Sequence, residues 1–191
     1  MTRISRRLAM SVLGISAACL AIAAAPGSGG GAQDGSGIAP EGLIAVISPT
    51  AGNDVKGVVR FIEGDDGVQV SARIEGLKPD SKHGFHVHEF GDASAPDGTS
   101  AGDHFNPEGH DHGLPPDSQR HAGDFGNLEA DSRGIAELEL TVENLRLTGG
   151  ARAILGRAVI VHAEPDDGGQ PTGNAGDRIG IGIIGIASKK R

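Results

Sequence analysis

The feature that most constrains this chain is a series of eight short apolar or alternating runs, broken by glycine-rich turns and lacking any sustained 3.6-residue period. The runs cover residues 43–48, 57–62, 68–74, 84–90, 128–131, 135–142, 157–163 and 178–187. Such runs predict strands, and eight is the count of a barrel or a two-layer sandwich, so the expected class is all-β with little helix. Glycine fills 32 of 191 positions and the only aromatic residues are five Phe. The core must therefore be built from Val, Ile, Leu and Ala between tight turns. Gly52-Asn53-Asp54 and Gly64-Asp65-Asp66-Gly67 separate the early runs, and Asp131-Ser132-Arg133-Gly134 predicts a tight hairpin between the fifth and sixth.

The N-terminus reads as a separate object. Arg3, Arg6 and Arg7 precede an uncharged, Ala-rich stretch over 8–25 that closes with Ala21-Ile22-Ala23, the pattern of a cleavable export signal. Residues 1–25 are expected to be removed, 26–41 to form a Gly/Ser-rich linker, and 42–191 to fold as one domain outside the cytoplasm, periplasmic or extracellular. A retained membrane anchor is the alternative, which the small-residue ending disfavours. Ser5-Arg6-Arg7 resembles a twin-arginine signal and Cys19 a lipidation site, but Ala9, Met10 and Ser16 depart from both patterns. Weak membrane association is expected only if the leader is retained or Cys19 is lipidated. Cleavage takes three arginines and no acid, so a net charge of −8 becomes −11, and it removes the only cysteine. No disulfide can then form. So acidic a chain lacks the clustered cations that nucleic acid requires, and Lys189-Lys190-Arg191 is most simply a solvated tail.

Two long interruptions, 91–127 and 164–177, are rich in Gly, Pro, Asp and His, and loops of that length in a compact domain usually carry function. Seven of the eight histidines lie between positions 83 and 121, and the eighth, His162, ends an apolar run. His86 and His88 stand two apart, which on a strand sends both rings to one face and Val87 to the other. His104, His112, His121 and Asp124 follow in one loop, a donor set for a tetrahedral N/O metal site. Imidazoles suit copper and zinc, whereas calcium or magnesium would call for oxygen donors.

The segments GFHVHEFGD (84–92), AGDHFNPEGHDHGLP (101–115), RHAGDFGN (120–127), GRAVIVH (156–162) and GNAGDRIGIGIIGIA (173–187) closely resemble the copper/zinc superoxide dismutases. The resemblance spans about Leu43 to Ala187 and implies an eight-stranded Greek-key β-barrel with two long functional loops. It implies copper on His86, His88, His104 and His162, and zinc on His104, His112, His121 and Asp124. Six histidines and one aspartate fill two four-ligand sites only by sharing one ring, which the resemblance makes His104. The implied activity converts superoxide to dioxygen and hydrogen peroxide, with His104 moving a proton and Arg178 attracting the anion. Asp166 falls where the family has an aspartate bonded to one copper and one zinc ligand. His83 matches a histidine that packs and hydrogen-bonds, and His110, without a counterpart, is expected to be solvated. Superoxide is the expected substrate; a homodimer is compatible with the resemblance, but the sequence does not fix the oligomeric state.

The departures from the family are as specific. Its usual loop-to-barrel disulfide is absent: no Cys occurs over 91–102, and Ile181 takes the place of the second half-cystine. On a chain-entropy model such a tether contributes about 4–5 kcal/mol, so zinc and the packing of Ile181 are expected to hold the loop instead. The second loop is shortened and carries Glu164, Asp166, Asp167 and Asp177 but no lysine. Asp177 offsets the field of Arg178 unless a strand sends the two to opposite faces. A metal-buffering relative without turnover is the competing reading, countered by complete ligands plus Arg178. A zinc hydrolase would need an open position and a base such as HExxH supplies, and no such motif occurs.

Overall fold

The computed structural model describes residues 40–188; the leader, most of the linker, Cys19 and the basic tail lie outside the described residues. Eight antiparallel strands follow one another: β1 (Leu43–Pro49), β2 (Lys56–Gly64), β3 (Gly67–Glu75), β4 (Lys82–His88), β5 (Asp124–Glu129), β6 (Ile135–Val142), β7 (Ala158–His162) and β8 (Arg178–Ile186). The one helical turn among them is 3-10, Thr99–Ala101. Their order in the sheet is β5-β4-β7-β8-β1-β2-β3-β6. The β3–β4 and β6–β7 connections cross between distant places in that order, which is Greek-key connectivity. The two end strands are neighbours in the chain, joined through Asp131–Gly134, where the Asp131 N–H donates to Ile135 O (2.8 Å). The sheet thus curls into a nearly closed barrel.

Alternation builds the interior. Leu43, Ala45 and Ile47 of β1, Val59 and Phe61 of β2, and Val70, Ala72 and Ile74 of β3 point inward and are buried, while the residues between them are more exposed. Phe125 sits between Phe61 and Phe85, with ring centroids at 6.5 and 5.7 Å. Each Val, Leu, Ile or Phe among them contributes about 1.5–3 kcal/mol by leaving water. Strand β7 differs, being buried along its whole length. Val159 and Val161 face the barrel interior, whereas Ala158 and Ile160 pack outside it with Ile181 and with Ala101 of the first long loop.

Strand β5 begins at Asp124 rather than at Leu128, because pairing with β4 draws residues of loop-like composition into the sheet. The register there slips by one: Gly84 faces Asn127, but His86 faces Asp124. The extra residue lies at Gly126, whose φ of +80° suits glycine, and the resulting bulge turns Asp124 towards the face that carries His86. A second slip, between β7 and β8, brings Arg178 opposite His162.

Candidate metal centre

Four donors from His86, His88, His104 and His162 lie within 4.8 Å of one another, and so do four from His104, His112, His121 and Asp124. All seven residues are buried. His86 and His88 occupy the outer face of β4, back to back with Phe85 and Val87 in the core, and His162 ends β7. The loop supplies the rest. It enters along β4, where His104 bridges His88, Phe105 N–H donates to Val87 O (2.8 Å) and Val87 N–H to Gly123 O (2.9 Å). Only glycine fits at 123, since a Cβ there would stand 2.3 Å from Val87 O.

Hydrogen bonds on the far side of each ring decide which nitrogen is left bare. His88 Nδ1 donates to Gly102 O (2.9 Å) and His162 Nδ1 to Gly176 O (3.2 Å), so their Nε2 atoms carry lone pairs. Those two lone pairs face each other at 3.4 Å, an arrangement that a cation between them makes favourable. Asp166 accepts from His86 Nε2 (2.8 Å) and His112 Nε2 (2.9 Å), which leaves both Nδ1 atoms buried without a hydrogen bond. His112 Nδ1 and His121 Nδ1 stand 2.9 and 3.2 Å from Asp124 oxygens yet are misaligned for hydrogen bonding, so they aim at a common point beside the carboxylate. His104 Nδ1 lies 2.8 Å from Asp124 Oδ1. Buried, unpaired nitrogens are costly in a protein interior, and convergent ones fit a metal.

Charge follows the same division. Burial pushes His86 down to about 4, against the pull of Asp166, and His162 down to about 3; His88 is also held well below its ordinary value. These rings are neutral at physiological pH, as ligands must be. At His112 burial is outweighed by the adjacent carboxylates of Asp124 and Asp166, which raise it to about 9. Without metal a proton there supplies positive charge between two carboxylates. Burial likewise opposes ionisation of Asp124 and Asp166, but the imidazoles around them hold both far below the carboxylate range.

Arg178 is half-buried and donates to Gly98 O (2.6 Å) and Gly102 O (2.7 Å), so its guanidinium pins the first loop beside His88. It lines an opening of about 350 Å³ together with Thr50, Asp97, Thr99 and Asp177. Because β8 starts at Arg178, Asp177 is outside the strand and shares that opening rather than facing away. His110 is half-buried, its backbone held by reciprocal bonds with Asn106 and its ring Nδ1 3.3 Å from Arg120 O. His83 is buried, its Nδ1 against His162 O (2.8 Å) and its Nε2 against Ser81 Oγ (2.8 Å). Sequence reasoning did not single out Asn127, Asp97 or Gln170. Asn127 locks Asp166 through two bonds, of 2.7 and 2.9 Å.

The family model for copper/zinc superoxide dismutase (SODC) matches residues 55–184. The chain belongs to the copper/zinc superoxide dismutase family. Superoxide dismutase [Cu-Zn] 3 of Arabidopsis thaliana is 45% identical over 160 residues, covering 78% of this chain and 95% of that relative. Superoxide dismutase [Cu-Zn] of Paramecium bursaria Chlorella virus 1 is 48% identical over 158 residues, covering 78% and 81%. The crystal structure of the clock protein EA4 superposes with a TM-score of 0.70 at 42% identity, covering 78% of this chain and 96% of that one. No cysteine occurs among the described residues, so other contacts hold the first long loop of this copper/zinc superoxide dismutase family member. Ile181, which is 8% exposed, packs on Ala101, and Arg178 binds the carbonyls on either side of the Thr99–Ala101 turn.

Proposed function

We propose that this chain is an exported superoxide dismutase, with copper on His86, His88, His104 and His162 and zinc on His104, His112, His121 and Asp124. The observation that carries the reading is the pair of bare Nε2 atoms of His88 and His162 facing each other across 3.4 Å in a buried site. Two superoxide anions and two protons give dioxygen and hydrogen peroxide. Copper, when bound, supplies the redox chemistry by taking an electron from one superoxide and returning it to the next, while zinc supplies a fixed charge. His104 belongs to both donor groups; with Nδ1 beside Asp124, its Nε2 serves the copper side and can hold a proton there for transfer to the developing peroxide. Asp166, bonded to both His86 and His112, keeps one ring of each set in its ligating tautomer. Arg178 offers the incoming anion the charge beside His162. Metal analysis of the mature protein together with a superoxide-decay assay is the test. One copper, one zinc and catalysed decay are expected; fully loaded protein no faster than free-solution decay overturns the reading.

Export is supported by Arg3, Arg6 and Arg7 ahead of the uncharged 8–25 stretch. N-terminal sequencing of protein recovered outside the cytoplasm is expected to begin near residue 26, and a chain retaining Met1 would refute cleavage. A homodimer is supported by one apolar face. Phe90, Leu155 and Ile183 are exposed, and Gly91 lies so close to Gly156 and Ile183 that a Cβ on it would stand 2.1 Å from Gly156 O. An exposed apolar surface suits a two-fold, self-complementary contact. Phe90→Glu should turn the dimer into a monomer in sedimentation analysis; an unchanged mass would remove this face from consideration.

A further inference from the structure

The shortened second loop folds back on itself. Ala163 N–H donates to Asp177 O (2.8 Å), Glu164 N–H to Ala175 O (2.9 Å) and Asp167 N–H to Gly173 O (3.0 Å). These rungs present Gln170 at the tip, against the first long loop. There its side-chain amide makes a reciprocal pair with one residue's backbone: His112 N–H donates to Gln170 Oε1 (3.1 Å), and Gln170 Nε2 donates to His112 O (2.8 Å). The partners are 58 positions apart in the chain, so this is a contact between loops and not a local turn.

His112 is thereby gripped twice by the same loop. Asp166 holds its ring through Nε2, and Gln170 holds both polar groups of its backbone. The grip matters because the stretch around His112 has little else. His110 is tied to Asn106, Gly113 N–H donates to Asp124 Oδ2 (3.1 Å), and Asp117 N–H closes a turn onto Leu114 O (2.9 Å). His86, His88 and His162, by contrast, sit on strands, His86 and His88 in the β4 ladders and His162 paired with Arg178 of β8.

We infer that Gln170 is a positioning residue that fixes the backbone of His112 and so governs how long the zinc site keeps its metal. The inference rests on the reading that His104, His112, His121 and Asp124 hold zinc. A ligand on a loop must swing away for the ion to leave, and removing the clamp frees His112 to do so without disturbing residues on β4 and β7.

Two substitutions test it in the holoprotein. Gln170→Leu keeps the bulk and removes both hydrogen bonds; Gln170→Glu keeps the acceptor for His112 N–H but sets a carboxylate oxygen against His112 O. Zinc release to a chromogenic chelator is expected to be about tenfold faster in Gln170→Leu, the low end for residues that orient ligands, and intermediate in Gln170→Glu. Copper release and the visible copper band should stay as in the wild type, and cobalt placed in the zinc site should show an altered d–d spectrum in Gln170→Leu. Zinc release at the wild-type rate in both variants overturns the clamp. So does loss of both metals in step with a lower Tm, which would mark a merely structural role. A wild type that binds no zinc overturns the zinc reading and the clamp with it, and is seen before any variant is made.

Discussion

Asp166 can serve two rings because a carboxylate offers two acceptors, and here one oxygen meets His86 Nε2 and the other His112 Nε2. Asp166→Asn leaves only one of them an acceptor. The amide NH2 would oppose a ring N–H, and that ring would have to move its proton to Nδ1, the atom it needs for metal. Affinity for the metal on that side should fall about 10- to 100-fold in chelator competition, with the barrel still folded; unchanged affinity for both metals would show that tautomer control lies elsewhere. Gly173 marks how tight this corner is, since a Cβ there would stand 2.0 Å from Asp166 Oδ1. Arg178 combines two tasks, a charge for the substrate and a fork for two loop carbonyls. Arg178→Ala should lower the second-order rate by about tenfold or more while both metals stay bound, and Arg178→Lys, which keeps the charge but not the fork, should fall between. A rate unchanged in Arg178→Ala, followed by stopped flow, would confine the residue to the structural task.

At the scale of elements, the first long loop divides into a part held by the barrel and a part held by the metal donors. Its 98–105 stretch is bound by Arg178, by Phe90 N–H to Ala101 O (2.9 Å) and by Ala101 packing on Ile181. Beyond it, the N–H groups of Gly113 and His121 both point to Asp124 Oδ2 (3.1 Å), itself a candidate ligand. Metal removal should therefore speed hydrogen exchange over 106–121 far more than over 98–105; equal deprotection of the two would show a single cooperative loop. Ile181→Ala should cost about 2 kcal/mol in denaturant unfolding, the lower end for a buried aliphatic deletion because the loop can settle into the gap, and should deprotect 98–105. The strands, the His86/His88 pair and the His104, His112, His121 and Asp124 group were legible in the sequence because alternation and metal chemistry demand particular residue types at particular spacings, whereas His162 as a donor and His104 as the shared ring came from the family resemblance. The bulge at Gly126, the slip that sets Arg178 opposite His162 and the reach of Gln170 were not. Each depends on register or on loop-to-loop distance, and no local pattern records either.

Over the whole molecule, charge sets the terms on which an anion arrives. The chain carries −8, and −11 if the leader with its three arginines is removed, so at long range superoxide is repelled. At close range the opening beside Arg178 holds that one cation with two acids, Asp97 and Asp177. Hydrogen bonds from the Thr99 hydroxyl and N–H hold Asp97 below the usual carboxylate range, so it is ionised at neutral pH. Salt screens exposed charges over about 10 Å at 0.1 M, which covers the exposed Asp97 and Asp177 and reaches the half-buried guanidinium less. Screening should then relieve more repulsion than it removes attraction. The catalysed rate is expected to stay level or rise as ionic strength goes from about 0.01 to 0.2 M, against the fall that a lysine-bearing loop would produce. Asp97→Asn combined with Asp177→Asn should raise the low-salt rate and bring back a decline with added salt. A wild-type rate that already falls steeply with salt would mean that Arg178 dominates the field at the opening despite the two carboxylates beside it.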